Sequence, residues 1–85
     1  MRINERGVDG AVVLELAGKL RGWSTSNAIM EAVRRQADAG RRLIVADLGG
    51  VSSVDANGMA TLIHCGRLVR ASGGRMCLAG IARRI

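Results

Sequence analysis

The strongest hydrophobic signal along the chain is Leu43-Ile44-Val45-Ala46-Asp47-Leu48, a short apolar run with β-branched residues that reads as a buried strand. Downstream, Met59, Leu62, Ile63, Gly66 and Val69 recur at helical spacing, which predicts a helix from about Asn57 to Ala71, stopped by Ser72-Gly73-Gly74. The polar stretch Val51 to Met59 between them is expected to be a turn feeding that helix. Upstream, Arg2 to Val8 is a weak strand candidate and Ala11-Val12-Val13-Leu14-Glu15-Leu16 a stronger one, with Asp9-Gly10 favouring a tight hairpin turn between them. Gly18 to Gly22 reads as a loop. Ser24 to Ala39 carries Ile29, Met30, Val33 and Ala37 on one face and Glu31, Arg34, Arg35 and Asp38 mostly on the other, an amphipathic helix. Ser24, Thr25 and Ser26 are its N-cap candidates and Gly40 its stop. Met76-Cys77-Leu78-Ala79 reads as a last strand, and Ile81 to Ile85 is too short to classify.

The order strand, strand, helix, strand, helix, strand implies right-handed parallel crossovers. The expected fold class is therefore α/β: a small mixed sheet of about four strands with helices packed on it. The 85 residues contain no repeat, linker or low-complexity segment, so residues 1–85 read as a single domain. The chain is 48% hydrophobic yet has no Phe, no Tyr and only Trp23, so Val, Leu, Ile, Met and Ala must fill a small core. Twelve glycines and no proline fit tight Gly-made turns better than a disordered tail.

Thirteen Lys and Arg against seven Asp and Glu give a net charge of +6, which raises nucleic acid or an anionic membrane as a partner. The arginines are spread over Arg34-Arg35, Arg41-Arg42, Arg67, Arg70, Arg75 and Arg83-Arg84 with no aromatic interleaving to stack bases. That distribution disfavours nucleic acid and fits a solvated basic surface that recruits an acidic protein. No apolar run approaches the ~18–20 residues a membrane helix needs. With no apolar signal segment at the N-terminus, and Cys65 and Cys77 placed on different elements, the chain reads as cytoplasmic. Both cysteines are expected to be small buried hydrophobes.

Nothing matches a phosphate-binding loop, and Gly49-Gly50 and Gly73-Gly74 read as turn punctuation. Ser53, Asp55 and His64 form the one triad-like set, and His64 is the sole histidine, expected on the exposed side of the second helix. A small hydrolase using Ser53 and His64 is thus the rival of another class, and a disfavoured one. His64 and Cys65 are adjacent on a helix and diverge by roughly 100°, so no metal or cofactor is expected. Trp23 either closes an edge of the core or anchors a partner. Asp55 supplies a negative charge at a helix N-terminus, where it suits a cap.

Taken together, Val12 to Leu20 with its Gly18-Lys19-Leu20 loop, Leu43 to Leu48, Val54-Asp55-Ala56-Asn57-Gly58-Met59 and Gly73 to Leu78 resemble the STAS domains, named for sulphate transporters and anti-sigma-factor antagonists. The third of these segments is similar to the family's Asp-Ser-Ser-Gly-Leu signature. In family members that act as antagonists, a Ser or Thr directly after the Asp is phosphorylated by a switch kinase; here that position is Ala56, which cannot accept phosphate. The resemblance implies a non-enzymatic regulatory module that binds an anti-sigma factor or a switch-type serine kinase. Its partner-binding residues would be Ser53, Asp55, Ala56, Asn57, Gly58, Met59, His64 and Arg67. Asp55 would cap the helix, Gly58 would let a partner or neighbouring strand come close, and Met59 would anchor the helix to the sheet. Ser53, Ser52 and Thr61 are the substitute phosphosites. A scaffold subunit of a stress-signalling or lipid-transport assembly is the alternative within the same fold. Family domains continue with a helix after the last strand, whereas this chain stops at Arg83-Arg84-Ile85. The resemblance therefore implies an apolar patch short of its cover and, from it, a homodimer or obligate complex.

Overall fold

Apolar residues alternate along two segments and recur at helical spacing along two others, and these four elements build the core. The computed structural model describes residues 1–80. Its elements are β1 (Arg2–Val8), β2 (Ala11–Leu20), α1 (Trp23–Asp38), β3 (Leu43–Val54), α2 (Ala56–Ala71) and β4 (Arg75–Ala79). The strands form one sheet in the order β1-β2-β3-β4; β1 pairs antiparallel with β2, and β2, β3 and β4 are parallel. This is the mixed four-stranded α/β sheet expected from the sequence. Residues 81–85, and with them the expectation about the C-terminal cover, lie outside the described residues.

Both crossovers join parallel neighbours in the same direction, so the right-handed rule puts α1 and α2 on one face of the sheet, where they also pack against each other. That face supplies Val12, Leu14, Leu16 and Leu20 from β2 and Ile44, Ala46, Leu48 and Val51 from β3. Ile29 and Val33 of α1 and Leu62, Cys65 and Val69 of α2 close over them. The core holds no aromatic ring, so its burial energy comes from branched aliphatic chains at roughly 25 cal/mol per Å² removed from water. Asp9 turns the β1–β2 hairpin with a left-handed φ of 54°, which Asp tolerates. Glu5 of β1 accepts hydrogen bonds from Gln36 and Arg35 of α1, and these hold its carboxyl below the usual carboxylate range.

Both helices end in the same way. Arg41 N–H donates to the Gln36 carbonyl and Gly40 N–H to that of Ala37; Gly74 donates to Val69 and Gly73 to Arg70. These are paired Schellman closures, with Gly40 and Gly73 at φ of 87° and 89°, where a side chain would be strained. Gly40 thus stops α1 as its sequence predicts. The start of α1 differs: the N-cap is Gly22, with no side-chain cap, and Ser24 to Ser26 lie inside the helix. Ser26 is buried and bonded to α2, so its hydroxyl joins two helices instead of capping one.

The strands run further than the apolar runs suggest. β2 continues through Gly18 to Leu20, and β3 continues through Gly49-Gly50 to Val54, so neither segment is the loop or turn expected. The pairing slips twice, from Glu15↔Asp47 to Ala17↔Gly50 and from Gly18↔Val51 to Lys19↔Ser53. Each slip inserts one extra β3 residue, and such bulges bend a strand and re-aim its side chains. The first is why Val51, three positions after Leu48, still points into the core.

Candidate functional site

The end of β3, the end of β2 and the start of α2 meet at Asp55. Its N–H donates to the Leu20 carbonyl (3.3 Å), and its carboxylate Oδ1 accepts from Gly58 N–H (2.7 Å). Asp55 is therefore the N-cap of α2, with extended backbone (φ −95°, ψ −179°), and the first helical bond runs from Met59 N–H to its carbonyl (3.0 Å). A negative cap satisfies an otherwise orphan N–H and complements the positive helix end.

Gly58 is buried because β2 leaves no room for more: a Cβ there would overlap the Leu20 carbonyl oxygen and lie 3.0 Å from Leu20 Cγ. The neighbouring chain that comes close to it is the protein's own second strand. With Gly58 pressed inward, Ala56 and Asn57 are turned to solvent in the first turn of α2.

The stripe that α2 buries is Gly58, Thr61, Leu62, Cys65 and Val69. Met59 and Ile63 are exposed, so Met59 does not anchor the helix to the sheet as its spacing suggests; it stands on the surface beside the cap. Thr61 Oγ1 lies 2.8 Å from both Ser26 Oγ and the Asn57 carbonyl oxygen. One hydroxyl carries one proton, and the carbonyl can only accept, so Thr61 donates to Asn57 and shares the Ser26 hydroxyl as its second partner. Thr61 is buried, and a phosphate on it would have to break this contact. Ser52 is exposed, its Oγ 3.4 Å from the Gly18 carbonyl. Ser53 Oγ is enclosed and has no hydrogen-bond partner among the described residues, so no general base among them touches it.

On the α1 side, Trp23, Asn27 and Met30 face Asn57, Ala60 and His64 across a groove of about 290 Å³. Trp23 is 81% exposed at its mouth and so does not close the core. The structure thus joins Asn57 and His64 to an aromatic that lies 34 positions before Asn57, a link the chain shows only as a lone tryptophan at a loop. Arg67 instead lines the opposite flank of α2 with Ile63, facing β4. Cys65 is buried, and burial pushes its thiol up to about 11; Cys77 is exposed on β4 and is not the buried hydrophobe expected, because among the described residues no helix lies over that face of the edge strand. Among the described residues no cluster of three or more His, Cys, Asp or Glu could hold a metal, and no helix is long and apolar enough to cross a membrane.

No curated protein matches the chain. Among solved structures, the anti-sigma factor antagonist SpoIIAA in its unphosphorylated form superposes with a TM-score of 0.81 at 19% identity, over 98% of this chain and 76% of that one. An antisigma-factor antagonist STAS domain from Rhodobacter sphaeroides gives 0.73 at 17% identity, covering 93% and 85%. The protein Mglu gives 0.78 at 25% identity over 99% of this chain, which spans only 20% of Mglu's length. These likenesses concern the fold. The model of the STAS domain family matches residues 2–85, and the chain belongs to that family.

Proposed function

We propose that this STAS domain binds a regulatory protein, an anti-sigma factor or a switch-type serine kinase of the cytoplasm, through the N-terminal end of α2. The observation that carries the reading is the arrangement around Asp55: the carboxylate caps α2, Gly58 seats the helix on β2, and Ala56 and Asn57 are left facing outward. Met59 on one side, and Trp23 and His64 on the other, extend that surface with apolar and aromatic area. Ser53 and Gly58 act beneath it by shape, and Arg67 stands at its flank.

The domain recognises and does not make bonds. Ala56 occupies the family's phospho-acceptor position, so docking here is constitutive, where a hydroxyl would allow a phosphate of about −1.5 to −2 charges to break it. Calorimetric titration with the purified anti-sigma factor or kinase of the same genome tests this. Asn57→Arg is expected to weaken binding about tenfold or more, as a charge forced into an interface core does. Ala56→Ser is expected to bind as the native chain and to lose that affinity after incubation with the kinase and ATP. Unchanged affinity in Asn57→Arg would remove the proposal.

A further inference from the structure

The chain has one aromatic residue, and that residue stands on the surface. Trp23 is the first residue of α1 and is 81% exposed, so most of the roughly 150–250 Å² that an aromatic side chain can bury stays in water. The ring borders the groove of about 290 Å³ that α1 and α2 form between them, on the flank of α2 opposite β4. Half-buried Met30 continues the α1 wall. On the α2 wall Ala60 contributes only a methyl group, which keeps the groove open between the helices.

The chain is 24% charged, yet among the described residues no Asp, Glu, Lys or Arg lines this groove. Its floor is polar in composition but already satisfied. Thr61 gives its one hydroxyl proton to the Asn57 carbonyl, which leaves the Ser26 proton for Thr61 Oγ1, each contact at 2.8 Å. The buried pair therefore has no donor to spare, and an apolar group laid over it strands no proton. A charged group would lose its water there and meet no counter-ion.

We infer that this groove takes one bulky uncharged side chain of the regulatory partner, of the Phe or Leu class, packed along Trp23 and Met30. Trp23 is then a specificity-determining residue of the interface. The inference rests on the reading that the Asp55 end of α2 is the docking surface, and the two are continuous: Asn57, exposed in the first turn of α2, belongs to both. Size and neutrality select the occupant. A space of about 290 Å³ falls below the roughly 300–1,000 Å³ of small-molecule sites, whereas a single apolar anchor seated in a pocket is how a few side chains come to dominate an interface. A second copy of the chain fits poorly. Its one aromatic, Trp23, lines the groove it would have to fill, and its exposed Ile63 and Leu78 stand on the far flank of α2 and on β4.

Trp23 is its own reporter, since the chain has one tryptophan and no tyrosine. In fluorescence and ¹⁵N NMR titrations of the full chain, N-acetyl-phenylalanine amide is expected to move the Trp23 emission to the blue and to shift the Trp23 indole N–H and the amides of Ala60 and His64. N-acetyl-glutamate amide should leave them in place. Against the purified anti-sigma factor or kinase, Trp23→Ala is expected to weaken binding about thirtyfold or more, as loss of an interface anchor does. Ala60→Leu, which fills the groove with a good helix former, should weaken it about tenfold, and Trp23→Phe by less than that. A circular dichroism melt of each variant separates loss of binding from loss of fold. If Asn57→Arg weakens binding while Trp23→Ala and Ala60→Leu bind as the native chain, the Asp55 end docks the partner and the groove proposal falls. Native affinity in all three removes both readings. Equal shifts from the glutamate amide would overturn the groove proposal, and so would a concentration-dependent blue shift of the chain alone that Ala60→Leu abolishes, which would assign the groove to a second copy.

Discussion

Gly58 and the carbonyl of Leu20 are in such close contact that no side chain fits between them: the first turn of α2 sits directly on the last residue of β2. This contact, with the Asp55 N–H bond to the same carbonyl, fixes where the helix starts and so which residues its first turn presents.

Two substitutions on this helix are expected to have opposite signs. Gly58→Ala forces the Leu20 backbone away and should destabilise by about 3 kcal/mol. Gly66→Ala places a methyl in open space and should stabilise by about 1 kcal/mol through helix propensity. Urea unfolding of both variants measures the difference.

Asp55→Ala removes the bond to Gly58 N–H and should cost about 1 kcal/mol, whereas Asp55→Asn, an equally good cap, should retain most of the stability. The same denaturation curves distinguish an acceptor at this position from a charge: a loss in Asn as large as in Ala would mean that the charge matters more than the hydrogen bond.

Thr61→Val leaves the buried Ser26 hydroxyl without its partner and should cost about 2 kcal/mol. The double variant Ser26→Ala with Thr61→Val should be less destabilised than the sum of the two single variants, since the second change removes the group the first left unpaired. A double-mutant cycle gives the coupling.

Cys65 makes stability depend on alkaline pH. Its folded thiol titrates near 11 against 9.0 in the unfolded chain, so the contribution is complete below pH 9 and is lost as pH rises from 9 towards 11. Two pH units of such linkage amount to roughly 3 kcal/mol. Cys65→Ala should flatten that limb of a stability profile. In the native state a thiol reagent should modify Cys77 and spare Cys65.

The elements most legible in the chain are those set by local signals. The strand over Leu43 to Leu48, the Asp9-Gly10 hairpin, the Gly40 stop and the Asp55 cap each depend on neighbours within a few positions, and each is present. The continuation of β3 was not legible because its two bulges break the period of two, and Gly49-Gly50 carries the side-chain signature of a turn. The fault at Met59 has another cause. Apolar residues lie around much of α2, at Met59, Leu62, Ile63, Cys65, Leu68 and Val69, so spacing allows more than one buried stripe. Contact of Gly58 with Leu20 selects the stripe through Leu62, Cys65 and Val69, which leaves Met59 and Ile63 outside.

The sequence by itself determined the kinds of element, their order, an aliphatic core and the cap that begins α2, because hydrophobic period and capping chemistry act over one or two turns. Tertiary structure alone decided how far β2 and β3 extend, which stripe of α2 is buried, that Ser26 bonds to Thr61, and that Trp23 and Arg67 stand on opposite flanks of one helix. Those outcomes depend on contacts between residues more than thirty positions apart or on packing that rotates a helix as a rigid body, and no local pattern encodes either.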